Sequence, residues 1–312
     1  MSLTYRPFRA GDLGALAHLT ALTMPRDPVN ESRLAANVLL EPNFRPEGLT
    51  EAADADAGPV GFLYATAEGD QGYLTIGSVH PDFQRQGIGT ALLDAATSHL
   101  RTRGAVAVTV SGYPAAYFTP GLDTGTYPQT QRLLAKHGFE RQYTAAAMHC
   151  DLDSYAGDPA APDLIKRRES EGYTFGPARL DDLPEAIAFA SATLAPDWGT
   201  VIRDSQLRFR RDGARVLLAR KPDGAIAGFA TYGAYEDALE RFGPFGVDPD
   251  LRGTGLGRIL LHLTLRAMRA EGAHGAWFLW TGEDSPAGHL YRSAAFDVVR
   301  RFDVMRADLT TD

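Results

Sequence analysis

The feature that most constrains this chain is that it repeats itself. Val79, Pro81, Asp82, Gly87, Gly89, Leu92, Leu93 and Gly104 recur as Val247, Pro249, Asp250, Gly255, Gly257, Leu260, Leu261 and Gly272, all at one offset of 168 residues. A register held at so many positions means that both copies fold as the same unit, and every later motif is read twice. The similarity extends outward with small shifts. Arg9, Asp12 and Leu13 match Arg179, Asp182 and Leu183, and Gly61-Phe62 match Gly228-Phe229, so short insertions fall in loops. Near the ends Gly138-Phe139 corresponds to Ala295-Phe296 at an offset of 157. The first copy therefore holds about eleven extra residues, placed in Gly112 to Gln129, where Pro120-Gly121 marks a turn.

A length of 312 residues agrees with two domains at roughly 150 residues each. The stretch from Ser154 to Asp163 is rich in Pro, Gly and Ala and has no apolar periodicity. The expected division is residues 1–153 for the N-terminal domain, 154–172 for a linker and 173–312 for the C-terminal domain, with the two domains packing on each other.

Each copy shows the same coarse order. Tyr5 to Phe8 reads as a short strand and Ala10 to Leu22 as a helix, with Leu13, Leu16, Ala17 and Leu19 at helical spacing; the second copy repeats this from Tyr173. Val60 to Thr66 and Ala225 to Tyr232 read as strands after turn signals. Then follow a strand ending at Val79 or Val247, a glycine loop, and a helix with an apolar face that ends before Gly104 or Gly272 as a left-handed cap.

Composition excludes several classes. With 44% hydrophobic and 22% charged residues the chain is neither disordered nor built on disulfides, and Cys150 is its single cysteine. No Cys/His cluster has zinc-ligand spacing, so no metal is expected. Met1 to Arg9 lacks the apolar core of a signal peptide, and no stretch has the length of a membrane span. A net charge of −8 disfavours nonspecific nucleic-acid binding. The expectation is a cytoplasmic protein with no membrane or nucleic-acid partner.

The glycine loops carry the chemistry. Glycines at a helix start let the backbone approach a ligand, and the free N–H groups of the first turn then point at an anion; a diphosphate suits such a site. Gln84 or Arg252 at the loop entrance would add side-chain donors. Neither loop is GxxxxGK[ST], and neither supplies the third glycine of GxGxxG.

Gln84-Arg85-Gln86-Gly87-Ile88-Gly89 and Arg252-Gly253-Thr254-Gly255-Leu256-Gly257, each between a strand and a helix, resemble the [Q/R]-x-x-G-x-[G/A] signature of the GNAT superfamily of N-acetyltransferases. The resemblance covers nearly the whole chain, and the tandem layout is similar to that of its mycothiol-synthase-like members. It implies an α/β fold (α+β mixed sheet): two tandem domains, each a twisted mixed sheet flanked by helices on both faces. It implies acetyl-CoA, or another acyl-CoA, as co-substrate and a small-molecule amine as acceptor. Val79 and Val247 would contact the pantetheine arm through their backbone, and Arg85 to Thr90 and Gly253 to Arg258 would contact the diphosphate.

The reaction implied is direct attack of an amine on the thioester, with a general base for the amine and a general acid for the departing thiolate. In many members the acid is a tyrosine just before a terminal aromatic. Tyr291 occupies that place in the second copy, on a helix expected to start at Ser285 and Pro286, whereas the first copy has Leu134 there. Tyr127 or Tyr117 is a substitute in the inserted segment. Glu240 is the first choice for the base, with Asp237, Glu236 and Glu283 as alternatives and a water relay as another. Trp277 and Trp280 would line an acceptor pocket or pack in the core. Two readings compete: an acyltransferase whose second domain is catalytic and whose first is degenerate or cofactor-binding only, and a non-enzymatic acyl-CoA sensor.

Overall fold

The computed structural model describes residues 3–27, 29–114, 116–209, 213 and 215–310. In chain order the elements are β1 (Leu3–Pro7), α1 (Leu13–Thr23), α2 (Glu31–Leu34), β2 (Leu49–Asp54), β3 (Gly58–Glu68), β4 (Gln71–Val79), α3 (Ile88–Thr102), β5 (Ala107–Val110), α4 (Pro128–Lys136) and β6 (Glu140–Asp151). The second copy supplies α5 (Ala161–Ser170), β7 (Thr174–Pro177), α6 (Leu183–Phe189), α7 (Pro196–Phe209), β8 (Val216–Arg220), β9 (Ile226–Tyr232), β10 (Phe242–Val247), α8 (Leu256–Ala270), β11 (Gly275–Thr281), α9 (Pro286–Ser293) and β12 (Asp297–Asp308). The expected mixed α/β architecture is present, twice.

The chain forms two compact units, one of residues Met1–Ala145 with Arg301–Asp312, the other Ala146–Arg300. In unit 1 the strands run β1-β2-β3-β4-β5 and then the end of β12. All pairs are antiparallel except β4 with β5, which is parallel. Helix α3 lays Leu93, Ala96 and Leu100 on one face of this sheet, and α1 lays Leu16 and Leu19 on a separate cluster with Phe62, Tyr64 and Ile76. In unit 2 the antiparallel run is β7-β8-β9-β10, and β11 pairs antiparallel with the end of β6. Helix α8 buries Leu256, Leu260, Leu261, Leu265 and Met268 in its core.

The units do not divide where the repeat does. Met148, Cys150 and Leu152, from the end of the first copy, lie in the core of unit 2, and Met305, Ala307 and Leu309, from the end of the second, lie in the core of unit 1. The closing strands are exchanged. Two copies of one motif end in strands of the same apolar alternation, so either strand satisfies either sheet, and the repeat pattern alone does not choose. The stretch expected as a linker also differs, because residues 161–170 are helical and belong to unit 2. Cys150 is buried and free, and burial pushes its thiol up to about 11, so it stays an inert core residue.

Candidate cofactor and catalytic site

The same local construction appears in both units. In unit 1 β4 pairs with β5 as far as Leu74 and Val110, and beyond the bulge at Thr75 the residues Ile76 to Val79 pair with β3 alone. In unit 2 the parallel contact is a single bridge, Arg241 with Trp277, after which β10 pairs with β9 alone. One edge of each strand is therefore open. The N–H groups of His80 and Asp248 bond back to Val60 and Ala227, so alternation turns the N–H groups of Gly77 and Val79, and of Phe245 and Val247, toward the open edge. The N–H groups of Val79 and Val247 therefore face the open edge, together with those of Gly77 and Phe245.

The two glycines of each loop have different jobs. Gly87 and Gly255 precede their helices at φ +86° and +89°, the left-handed region in which a side chain is strained. Gly89 and Gly257 are close-packing positions. A Cβ on Gly89 would lie 3.1 Å from Leu133, and one on Gly257 would lie 3.4 Å from Leu290. The helix that carries Leu134 or Tyr291 is thereby seated against the loop. Leu133 and Leu290 share the offset of 157, a signal that was present in the sequence but tied to no role.

After each left-handed glycine the first backbone acceptor is found only by Ala91 N, on Gly87 O, and by Ile259 N, on Gly255 O. The N–H groups of Gly87, Ile88, Gly89 and Thr90, and of Gly255, Leu256, Gly257 and Arg258, have no backbone partner among the described residues. Four convergent donors at the positive end of a fifteen-residue helix suit a diphosphate. Thr254, Gln86 and Gly253 complete the two turns.

Side chains at the loops differ from expectation. The Gln84 amide turns back to the Val79 carbonyl at 3.0 Å, and Gln86 bonds the Asp82 carbonyl at 3.1 Å, so neither amide faces the nest of N–H groups. Their hydrogen bonds brace the turn. Arg258 is paired with Asp158, with Nη2 to Oδ1 at 2.7 Å, so its contribution to an anion is through its backbone N–H. Arg85 and Arg252 are exposed, with no ion pair among the described residues. Arg85 stands at φ +63° where the second copy has Gly253 at +76°.

Unit 2 also covers its loop. Leu164 of α5 lies 2.8 Å from the place of a Cβ on Gly255, and Arg168 of the same helix donates from Nε to the Thr254 carbonyl at 2.9 Å. In unit 1 a Cβ on Gly87 would meet nothing within 4 Å. These residues lie outside the repeat, which is why motif reading missed them.

Tyr291 is set in an aromatic cage. Ser285 caps α9 by accepting from Gly288 N at 3.1 Å, with Pro286 in the first turn. The Tyr291 ring lies 4.4 Å from Phe278, 5.5 Å from Phe296, 6.0 Å from Phe242 and 6.1 Å from Phe245. Its side chain is buried, and its hydroxyl has no hydrogen-bond partner among the described residues. Burial holds its pKa well above the ordinary tyrosine value, so the proton is retained at neutral pH. Leu134 occupies the same slot in unit 1: Phe139 N bonds Leu134 O and Phe296 N bonds Tyr291 O, each at 3.1 Å. Leu134 is buried with Leu93 and Phe139.

The other candidates are placed elsewhere. The Glu240 carboxylate accepts from the N–H groups of His274 and Gly275, both at 3.0 Å, and so fastens the start of β11. Both bonds fall on Oε1, so the sequence expectation of a base there meets a structural use of the same carboxylate. Glu236 and Asp237 sit in an exposed turn at positive φ, Asp237 beside Arg215. Glu283 pairs with Arg292. Tyr127 donates to Asp27 at 3.4 Å. Trp277 stacks under the Arg241 guanidinium at 4.7 Å, a packing role, whereas Trp280 is partly exposed. Among the described residues no His, Cys, Asp and Glu cluster is arranged to hold a metal ion, and no helix is long and apolar enough to cross a membrane.

Comparison with known proteins agrees with this geometry. The fold is similar to a GCN5-related N-acetyltransferase from Sphaerobacter thermophilus, with a TM-score of 0.74, 20% identity and coverage of 98% of this chain and 96% of that one. It is also similar to a tandem GNAT protein from the clavulanic acid biosynthesis pathway, with a TM-score of 0.68, 19% identity and full coverage of both chains. In sequence the chain is 30% identical to a mycothiol acetyltransferase of Clavibacter michiganensis over 77% of this chain and 74% of the relative. It is 25% identical to the enzyme of that name from Saccharomonospora viridis, over 77% and 76%. Residues 47–141 match the family described as acetyltransferase (GNAT) domain, and residues 183–296 match the acetyltransferase (GNAT) family. The chain therefore belongs to the GNAT N-acetyltransferases, as a member with two such domains in tandem.

Proposed function

We propose that unit 2 transfers an acetyl group from acetyl-CoA to the primary amine of a small molecule, and that unit 1 holds the cofactor without turnover. The observation that carries this reading is the pair Tyr291 and Leu134 in one structural slot, beside loops of the same construction. In each unit the N–H nest receives the diphosphate, and the open edge of the strand receives the pantetheine arm in the manner of an added strand. The residues fit such a ligand: the N–H groups of the first turn have no backbone partner among the described residues, and glycine stands where a Cβ would be strained.

At the open edge of unit 2 the Phe245 N–H would donate to the thioester oxygen, where negative charge develops during attack. The amine nitrogen forms a bond to the carbonyl carbon, the carbon–sulfur bond breaks, and the thiolate takes the Tyr291 proton. The amine's surplus proton leaves to solvent through water, since the sequence-derived acids each serve another partner. Tyr291 in its cage supplies a proton without competing hydrogen bonds, and the surrounding phenylalanines exclude water from the thioester. Leucine at position 134 has no proton to give.

The name shared by the curated relatives supports an acceptor of the kind that acetylation converts to mycothiol. The test follows CoA thiol release with that amine and with a panel of other primary amines. Release above the hydrolysis background, abolished by Tyr291→Phe and unaffected by Leu134→Ala, is the expected result. A chain in which no amine releases CoA, while acetyl-CoA still binds, would leave a sensor in place of an enzyme.

A further inference from the structure

Helix α5 lies outside the repeat, and its sequence has one residue out of place. Of its ten residues only Ala161, Leu164, Ile165 and Arg168 are not exposed, and they stand at the i, i+3, i+4 and i+7 spacing of one helix face. Three of the four are apolar. The fourth is an arginine whose side chain is only 17% exposed. A guanidinium is withdrawn from water only where its donors are taken up. Here Nε, at 2.9 Å, and Nη2 both donate to the Thr254 carbonyl, and Nη1 is paired with Glu171.

The segment is fastened to the loop of unit 2 at both ends. Just ahead of α5, Asp158 takes Arg258 of the first turn of α8, Nη2 to Oδ1 at 2.7 Å, while the Asp158 carbonyl accepts from Ala161 N at 3.1 Å. Midway, Leu164 lies 2.8 Å from the place of a Cβ on Gly255. At the far end stands Arg168 on Thr254. Unit 1 is built otherwise: the Gln86 carbonyl, one repeat before Thr254, has no hydrogen-bond partner among the described residues, and a Cβ on Gly87 would meet nothing within 4 Å.

The Thr254 carbonyl belongs to the same peptide unit as the Gly255 N–H, and in a planar trans peptide the two point in opposite directions. Holding the carbonyl toward α5 therefore aims the N–H away from it. Glycine admits either orientation of the peptide that precedes it, so without a partner for the carbonyl this donor is free to turn. Donation from a guanidinium also polarises the peptide and strengthens its N–H as a donor.

We propose that Arg168 is a positioning residue for the cofactor of unit 2: it fixes the Thr254–Gly255 peptide so that the Gly255 N–H is held ready for the diphosphate. This role rests on the N–H nest being the diphosphate site. A donor set in advance loses less freedom on binding, so the gain in affinity falls on the diphosphate and not on the rest of the cofactor.

The full chain carrying Gly87→Glu, which puts a carboxylate at the nest of unit 1, leaves unit 2 as the site titrated calorimetrically with CoA. One bound CoA is expected; none would remove the nest itself, and this role with it. Adding Arg168→Ala is expected to weaken CoA about tenfold, the worth of a hydrogen bond from a charged group. Arg168→Lys, which keeps one donor for the same carbonyl, is expected to recover part of that loss. Pantetheine, measured by competition with CoA, lacks the diphosphate and is expected to bind both variants as it binds the parent. Unfolding midpoints check that the variants keep the fold. CoA affinity unchanged in Arg168→Ala overturns the proposal and leaves the nest in place. An equal loss for pantetheine, which would make Arg168 a structural tie of α5, overturns it too, as does a lysine variant no better than alanine.

Discussion

Unit 1 and unit 2 use the same backbone and differ in what they place on it. Gly87 and Gly255 start their helices in the same left-handed conformation, and Leu133 and Leu290 seat the following helix on the same second glycine. One residue later the copies part, at Leu134 and Tyr291. Under the proposed function, the difference teaches that ligand cradling is written into backbone geometry, which tolerates divergence around it, whereas proton transfer rests on one side chain that a single substitution removes. A second difference lies in the sheets. Arg6 and Glu51 face each other on β1 and β2 of unit 1, and the equivalent pair on β7 and β8 of unit 2 is Gly176 and Leu218. Unit 1 buries an ion pair where unit 2 buries a leucine.

The sharpest way to break this comparison is at Tyr291, the proposed proton donor. Tyr291→Phe keeps the ring in its cage and removes the proton, and kcat is expected to fall by about 10²–10⁴-fold with acetyl-CoA affinity unchanged. A fall in affinity with kcat intact would assign Tyr291 to packing.

The buried ion pair gives a pH-dependent contrast. Burial, and then the neighbouring Asp12 charge, raise the Glu51 carboxyl to about 7, although Arg6 Nη1 lies 2.7 Å away without an aligned hydrogen bond. The folded state then holds its proton more tightly than the unfolded chain. The stability contributed is fully present below the unfolded pKa and is lost as pH rises from about 4.5 through 7. Glu51→Gln is expected to unfold at a higher urea concentration than the parent at pH 8 and to lose that advantage near pH 5, a difference on the order of 1–3 kcal/mol. An advantage independent of pH would show that the carboxyl does not titrate in this range.

The loops are compared by binding. Gly87→Ala carries only the left-handed backbone cost of about 1–2 kcal/mol, or about tenfold in acetyl-CoA affinity at unit 1. Gly255→Ala adds the approach to Leu164, so its site is expected to weaken more. Equal losses in the two titrations would mean that Leu164 yields freely. The smallest effect is at the turn after each helix, where unit 1 has Gly138 at φ +79° and unit 2 has Ala295 at φ +62°. Ala295→Gly is expected to stabilise the chain by about 1 kcal/mol and Gly138→Ala to destabilise it by a similar amount, read from denaturant midpoints.

Much of the fold and half of the site were legible in the sequence. The offset of 168 gave two domains, the glycine spacing gave strand, loop and helix, and Ser285-Pro286 gave the start of the Tyr291 helix, because each of these is enforced by a backbone conformation or a cap a few residues long. The side-chain expectations fared differently. Gln84 bonds its own strand, Arg258 is taken by Asp158, one hundred residues earlier, and Glu240 is taken by the amides of His274 and Gly275. Residue type announced what these groups are able to do, and their neighbours, remote in sequence, fixed what they are engaged in.

What the sequence by itself determined, then, is the repeated unit, its glycine loops between strand and helix, and the asymmetry between Leu134 and Tyr291. The tertiary structure alone decided which closing strand completes which sheet, that residues 161–170 form a helix over the second loop, and that Glu240 is engaged by the amides at the start of β11. Local conformational limits act within a few residues and leave a pattern along the chain. Strand exchange and side-chain pairing are choices among near-equivalent partners far apart in sequence, and only packing in three dimensions separates them.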